Sequence, residues 1–267
     1  MLRDITLGQY FPGDTLIHRL DPRTKLVMVV VYIVALFMAK SWTAYGMMFV
    51  LLVCLIAVSQ ISVKTILRGL RPIIIVIALT AVLNIFFTDG EPIFELWIIK
   101  ITREGLVTAA KMALRLAMLI TGTFMLTYTT SPIALTDGIE SLFKPLSVIR
   151  FPVHELAMIM SIALRFVPAL IEETQKIMSA QKARGADFET GSIMHRAKAL
   201  LPVLVPLFIN SFRRADDLAD AMESRCYHGG TGRTRMKQLK LHFRDAASLI
   251  VGAAMIFAVV LVNRLPW

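Results

Sequence analysis

Long apolar segments separated by short charged loops make up most of the chain. The apolar runs cover residues 26–39, 44–59, 72–87, 106–128 and 246–262. A helix needs about 20 apolar residues to cross a bilayer, and fewer where flanking side chains reach the interface. The pattern therefore predicts five transmembrane helices, of which the first is short and is joined to the second by a tight turn.

The segment between the fourth and fifth predicted spans, residues 129–245, has a helical rather than a continuous apolar pattern. Its apolar residues recur at steps of three and four within residues 171–178 and 208–226, which is typical of one face of a helix. Long amphipathic helices of this kind need to pack on one another, on the membrane face or on a partner. Three prolines are expected to break or kink them: Pro168, Pro202 and Pro206.

Composition and charge agree with a membrane protein. The chain of 267 residues is 56% hydrophobic, has a mean hydropathy of +0.66 and carries a formal net charge of +10. A soluble chain of this length is more polar. The basic residues are dispersed among apolar runs, which argues against nucleic acid as a partner. The basic excess instead suits the cytoplasmic loops of a protein embedded in a lipid bilayer.

Lysines and arginines in the short loops predict the orientation, because cytoplasmic loops carry an excess of them. The segment before the first span and the loop between the second and third contain Arg19, Arg23, Lys25, Lys64, Arg68 and Arg71. Loops on the opposite side have fewer basic residues and several acidic ones. The N-terminus and residues 129–245 are therefore predicted to be cytoplasmic, in a multi-pass protein of the cell membrane.

Together these patterns predict an all-α membrane protein with three parts. Residues 1–128 form a membrane domain with the N-terminal segment and four spans, residues 129–245 form a cytoplasmic domain of long amphipathic helices, and residues 246–267 form the last transmembrane helix. Lys111 and Arg115 fall near the start of the fourth span. We expect them to face protein or the interface, because a charge facing lipid is unfavourable by several kcal/mol.

Two short motifs resemble phosphate or metal sites but lack the rest of such a site. "DDLAD", residues 216–220, has the spacing with which prenyl-transferring enzymes hold magnesium diphosphate, but no second acidic cluster faces it. Arg213 and Arg214 can pair with these acids one turn away, which favours a solvated helix face. "GGTGRT", residues 229–234, lacks the ending of a phosphate loop and favours a flexible connector. The sequence predicts no catalytic residue, no cofactor and no metal site.

Two arginines flanked by small residues end the amphipathic helices and are the strongest functional candidates. Arg184 lies between Ala183 and Gly185, and Arg225 lies between Ser224 and Cys226. Taken singly, each suits an ordinary helix end, where a cation contributes about 0.3–1 kcal/mol. Two such ends in one region instead favour docking, because small neighbours leave each guanidinium free to bind carboxylates through two hydrogen bonds. We therefore expect these six residues to enter two equivalent acidic sockets of a partner.

Nearly the whole chain resembles the transmembrane (T) component of energy-coupling factor transporters, including its cobalt-transporter relatives. The resemblance is carried by "LDPRTKL" at residues 20–26, "TTSPIALTDGIESL" at 129–142, "LRFVPALIEE" at 164–173, "AQKARG" at 180–185 and "ADAMESRCY" at 219–227. The two arginine-centred motifs are its most specific mark. The chain departs from the family at the second one, where Ser224 and Cys226 replace alanine and glycine. We expect the helix stop there to be deferred to Gly229 and Gly230.

This resemblance implies a fold and a division of labour. Residues 129–245 would be a coupling region, and Arg184 and Arg225 would each dock on one of two cytoplasmic ATP-binding-cassette subunits, which hydrolyse ATP. A separate small membrane protein, the substrate-binding (S) subunit, would capture a vitamin or a metal ion. The chain itself would be a non-catalytic scaffold that transmits ATP-driven movement to the S subunit.

Two other functions stay open at this point. A secondary transporter would hold its own substrate, and it would need discontinuous helices and buried charges at the bilayer midplane. The predicted spans hold almost no such charges. A membrane prenyltransferase would depend on "DDLAD" alone. Of the three functions, only the coupling function requires two ATPase subunits as partners.

Overall fold

A computed structural model of the chain describes residues 10–90, 92–96, 99–149, 151–188, 190, 192–229 and 239–264. Its helices are α1 (Pro22–Met38), α2 (Trp42–Ser59), α3 (Val63–Leu70), α4 (Ile74–Phe87), α5 (Arg103–Thr129), α6 (Pro132–Phe143), α7 (Val153–Ala183), α8 (Ile193–Glu223) and α9 (Phe243–Arg264). Two short strands, β1 (Pro92–Leu96) and β2 (Ile99–Thr102), form an antiparallel hairpin between α4 and α5. The predicted helical membrane architecture is confirmed. The hairpin is an addition that the apolar pattern does not indicate.

The chain divides into two compact units. The membrane unit contains the described residues of Gly8–Ile139 and Leu239–Trp267, and the α7–α8 unit contains those of Glu140–Gln238. The membrane unit therefore joins the first five helices and most of α6 to α9 across a long stretch of sequence. The domain boundaries expected after residues 128 and 245 remain predictions.

The core of the membrane unit lies where α1, α2, α5 and α9 pack together. Its largest buried side chains are Tyr32, Leu36, Tyr45, Met48 and Met118. Two glycines permit this close approach: a β-carbon at Gly122 would lie 2.4 Å from the Tyr32 ring, and one at Gly252 would lie 2.7 Å from the Met28 sulfur. Small residues at helix contacts are the usual basis of helix association in lipid. This cluster therefore holds the four helices together.

A buried polar junction joins the start of α1 to the neighbouring helices. Asp21 is the N-cap of α1, and its own amide donates to the Asp245 carboxylate at 2.8 Å. The other oxygen of Asp245 accepts from the His242 amide at the start of α9. Lys25 Nζ donates to the Thr129 carbonyl at 2.8 Å, at the end of α5. Because buried polar groups need partners, the "LDPRTKL" segment has a structural role in fixing three helix ends.

Four of the five predicted spans coincide with long apolar helices. These are α2, the continuous helical segment Val63–Phe87, α5 and α9. The first predicted span lies mostly in α1, which has 17 residues. The fifth long apolar helix of the structure is α7, although its pattern predicted a cytoplasmic helix. The difference arises because its polar stripe occupies the second half, whereas residues 153–170 contain one acidic residue, Glu155, and only Arg165 as a lysine or arginine.

The charges near the start of α5 face the protein, as expected. Lys111 Nζ donates to the Lys40 carbonyl at 3.0 Å, and Arg115 Nη2 donates to the Ala39 carbonyl at 3.1 Å. The Arg115 guanidinium also lies 5.6 Å from the centre of the Tyr45 ring, a distance at which a cation is attracted to the ring face. The two side chains thus hold the tight turn between α1 and α2.

The α7–α8 unit consists mainly of its two helices, which have 31 residues each. The breaks expected at the prolines do not occur, because Pro168, Pro202 and Pro206 all lie inside continuous helices. Each proline removes one backbone donor and leaves the carbonyl four residues earlier without its helical partner. The helices therefore continue past these prolines with locally weaker backbone hydrogen bonding.

Candidate functional site

The end of α7 is closed by two hydrogen bonds around a left-handed glycine. The Gly185 amide donates to the Lys182 carbonyl at 3.0 Å, and the Ala186 amide donates to the Gln181 carbonyl at 2.9 Å. Gly185 has a φ of +90°, which glycine adopts without a steric cost. This pattern is the Schellman motif, which satisfies the last carbonyls of a helix. Arg184 is thereby fixed as the residue immediately before the turn.

The end of α8 has the same hydrogen-bond pattern with a cysteine at the left-handed position. The Cys226 amide donates to the Glu223 carbonyl at 2.8 Å, and the Tyr227 amide donates to the Met222 carbonyl at 3.0 Å. Cys226 has a φ of +56°. Arg225 immediately precedes this turn, so it occupies the position that Arg184 occupies at the end of α7.

The deferral of the second helix stop to Gly229 and Gly230 is wrong. The last residue of α8 is Glu223, and the left-handed turn lies at Cys226. A residue with a β-carbon is disfavoured in this conformation by about 1–2 kcal/mol. The two hydrogen bonds that close the helix offset that strain, because they satisfy carbonyls that would otherwise have no partner. Gly230 lies outside the described residues.

All six predicted docking residues are exposed at these two helix ends. They are Ala183, Arg184, Gly185, Ser224, Arg225 and Cys226. Within the described parts of the chain, no hydrogen bond or ion pair engages either guanidinium. A guanidinium presents five N–H donors in a planar fork that matches a carboxylate. Each helix end therefore offers an unoccupied cationic fork to an acidic partner.

A polar contact between α7 and α8 is not apparent from the sequence alone. Asn210 Nδ2 donates to Glu173 Oε1 at 2.5 Å, and Arg214 Nη2 lies 2.6 Å from Glu173 Oε2. The second contact is an ion pair without the alignment of a hydrogen bond. The sequence feature that could indicate this contact is the four-residue spacing of Asn210 and Arg214, which puts both on one face of α8. The partner on α7 requires the structure.

The pairing predicted within "DDLAD" is not observed among the residues that the structure describes. Arg214 pairs with Glu173 of α7 instead of with the acids one turn away. The acids Asp216, Asp217 and Asp220 are all exposed. This face of α8 is solvated, as predicted, but it is not self-paired. The "GGTGRT" segment lies outside the described residues, apart from Gly229.

Much of the apolar stripe on α8 is open to the surroundings. The side chains of Phe208 and Phe212 are 61% and 67% exposed. Other residues of α8, among them Leu218, line a groove together with Phe166 and Leu170 of α7. Contiguous exposed apolar side chains mark contacts with lipid or with another protein. The α7–α8 unit therefore combines cationic helix ends with an uncovered apolar surface.

The chain is similar over nearly its full length to proteins of membrane transport. The profile of the family described as cobalt transport protein, CbiQ, matches residues 13–237. A protein of Thermosediminibacter oceani is 57% identical over 93% of this chain and 94% of its own length. Relatives from Clostridium kluyveri and Lactococcus lactis subsp. cremoris are 54% and 45% identical, over 100% and 98% of this chain and 99% and 98% of their own lengths. All three are named energy-coupling factor transporter transmembrane protein EcfT.

Proposed function

Because the chain belongs to the EcfT family of energy-coupling factor transporter transmembrane proteins, we propose that it couples two cytoplasmic ATPase subunits to a substrate-binding (S) membrane subunit. The ATPases are of the ATP-binding-cassette type. The S subunit captures the vitamin or metal ion to be imported. The chain itself is a multi-pass membrane subunit that contributes no catalytic group.

The observation that carries this proposal is the repeated geometry of the two helix ends. Arg184 and Arg225 each lie immediately before a left-handed residue that closes a helix with the same pair of hydrogen bonds. Both guanidinium groups are exposed. Two equal cationic ends suit two equal acidic sockets, which a pair of identical or related ATPase subunits offers.

The proposed mechanism is mechanical. When the two ATPase subunits close on ATP, the two sockets shift. The ends of α7 and α8 follow, since each guanidinium is held by a bidentate contact with a carboxylate. The movement reaches the S subunit through the helices, and the S subunit reorients its substrate site across the membrane. The exposed apolar face of α8 supports a contact with the membrane or with the S subunit.

The orientation is part of the proposal, with the N-terminus and both helix ends in the cytoplasm. Since α7 is long and apolar enough to cross a membrane, a crossing there would carry Arg184 to the opposite side. We place α7 against the cytoplasmic face instead, because basic residues are abundant from its end through α8. In a Cys54→Ser/Cys226→Ser background, Asp89→Cys should react with an impermeant thiol reagent in intact cells and Ala197→Cys should not. Labelling at position 197 from outside would contradict this orientation.

The alternative functions lack a supporting observation. A secondary carrier needs charged or convergent polar groups for its substrate, but Lys111 and Arg115 are engaged in holding the turn between α1 and α2. A prenyltransferase needs its acids to face a second acidic cluster, but the "DDLAD" acids are exposed on α8. Neither arrangement favours a substrate site within this chain.

The experiment that tests the proposal is co-purification of tagged ATPase subunits with an Arg184→Glu/Arg225→Glu variant, alongside substrate uptake into vesicles. Reversal leaves like charges facing each other in both sockets. Removal of one partner from such a pair commonly costs about 2–5 kcal/mol, so the double variant should lose the ATPases and the uptake while it still inserts. An Arg196→Glu/Arg213→Glu variant, with exposed arginines elsewhere on α8, is the matched control. Normal ATPase retention in the first variant would reduce the two arginines to ordinary helix ends.

A further inference from the structure

One carboxylate of α7 binds two side chains of α8. Glu173 accepts a hydrogen bond from Asn210 at 2.5 Å and forms an ion pair with Arg214 at 2.6 Å. The Glu173 side chain is only 15% exposed, whereas that of Arg214 is 39% exposed. A largely buried carboxylate is stable when its charge and its lone pairs have partners. Both partners come from α8, so the contact fixes one helix against the other.

The spacing along the two helices relates this contact to the docking arginines. Arg184 follows Glu173 by eleven residues, and Arg225 follows Arg214 by eleven residues. The helical part of each stretch, up to Ala183 in α7 and Glu223 in α8, makes about two and a half to three turns. Beyond the contact, α7 and α8 therefore each have one arm. The two arms have the same number of residues, and each ends at a docking arginine.

The prolines of α7 and α8 lie on the N-terminal side of the Glu173 contact, away from the docking arginines. Pro168 precedes Glu173 by five residues, and Pro206 precedes Asn210 by four. No proline occurs in α7 or α8 after these positions. Proline weakens the backbone hydrogen bonding of a helix, so α7 and α8 bend most easily before the contact. The arms beyond the contact keep all their backbone hydrogen-bond donors.

We propose that Glu173 is a positioning residue that locks the crossing of α7 and α8, so that the arms ending at Arg184 and Arg225 move as one body. This inference rests on the proposed docking of ATPases at those arginines. Its consequence for transport is specific. Without the lock, the ATPases still dock and hydrolyse ATP, but their movement is absorbed at the crossing instead of reaching the S subunit.

The first test measures the two arms in the full chain, reconstituted in lipid nanodiscs. Spin labels are attached at Ala180→Cys and Ala221→Cys, which are exposed positions near the two helix ends, after Cys54 and Cys226 are changed to serine. A single narrow distance is expected for the parent chain. Glu173→Gln should broaden or split this distance, because the ion pair with Arg214 is lost. Glu172→Gln, which changes the exposed neighbouring carboxylate, should leave it narrow.

A charge exchange separates positioning from simple packing. Glu173→Arg alone places two cations together and should abolish the narrow distance. Glu173→Arg/Arg214→Glu restores an ion pair of opposite polarity, and the Asn210 amide can present its oxygen to the new arginine. The double variant should therefore recover the narrow distance. An unchanged distance in Glu173→Gln, or a double variant no better than Glu173→Arg, would overturn the proposal.

The second test measures coupling in the assembled transporter. Glu173→Gln should retain normal amounts of ATPase subunits and hydrolyse ATP, while uptake per ATP hydrolysed falls by about fivefold or more. Release of the ATPases by Glu173→Gln would overturn the proposal, because Glu173 would then support docking or folding. If the unmodified chain retained no ATPase subunits, the proposed function would fail, while the spin-label distances would still decide whether Glu173 locks the crossing.

Discussion

The ends of α7 and α8 share one backbone geometry but differ in the residue that makes the turn. Gly185 has a φ of +90° at the first end, and Cys226 has a φ of +56° at the second. The closing hydrogen bonds are the same and differ by 0.1–0.2 Å between the two ends, at 2.9–3.0 Å and 2.8–3.0 Å. The position of the arginine, immediately before the turn, is therefore common to both ends, whereas glycine is not.

This comparison shows where the strain lies. Glycine adopts the left-handed conformation freely, but cysteine is disfavoured there by about 1–2 kcal/mol. The second end keeps its turn at Cys226 even though Gly229, with a φ of +97°, follows three residues later. An arginine at a fixed distance from the last helical turn is the feature that a docking function requires. We infer that the geometry around Arg225 outweighs the strain of the cysteine.

The largest effect on this comparison is expected from reversing one arginine at a time. Arg184→Glu and Arg225→Glu should each lower the apparent affinity for the ATPase subunits by about 100-fold. The reason is that only one helix end then binds the ATPases, and the gain from binding at both ends at once is lost. Binding of purified ATPases to the chain in nanodiscs measures this. Since the two ends are equivalent in geometry, the two losses should be similar. A harmless reversal at either position would show that only one end docks.

A smaller effect is expected from Gly185→Ala. A β-carbon there meets no atom within 4 Å, so the cost is confined to the backbone at a φ of +90°. That cost is roughly 1 kcal/mol, or about fivefold in Kd, because the strained turn loosens the placement of Arg184. The measurement is best made in the Arg225→Glu background, where only the α7 end binds. An unchanged Kd there would mean that the turn does not control the arginine.

The smallest effect is expected from the converse change, Cys226→Gly. It relieves the strain at the second end, so the Kd should stay constant or improve by a few fold, up to about the fivefold that 1 kcal/mol gives. Binding in the Arg184→Glu background measures the α8 end alone. Weaker binding by Cys226→Gly would indicate that the thiol side chain itself contributes to the contact with the ATPase.

Much of the architecture follows from hydropathy, because a bilayer demands long apolar helices. The runs at residues 44–59 and 106–128 lie within α2 and α5 as predicted. The predicted cytoplasmic nature of α7 illustrates the limit of hydropathy, since α7 is long and apolar enough to cross a membrane. Hydropathy alone does not distinguish a helix inside a bilayer from one that lies against its face.

Features that depend on distant partners are not predictable in the same way. The two arginines stand out in the sequence because their small neighbours are adjacent to them. Glu173 does not stand out, because Asn210 and Arg214 are 37 and 41 residues away and act only once α7 and α8 cross. The turn at Cys226 is also hidden, since local propensity favours the later glycines. Tertiary contacts and closing hydrogen bonds decide these positions.

The central claim is that both helix ends touch the ATPase subunits directly. It is tested by placing a photoreactive amino acid, benzoylphenylalanine, at Ala183 or at Ser224 and irradiating the assembled transporter in membranes. Ala197, an exposed residue near the start of α8, serves as the control position. Covalent products with an ATPase subunit are expected from positions 183 and 224 and not from 197. Absence of such products at both helix ends, in a transporter that still contains its ATPases, would contradict the account.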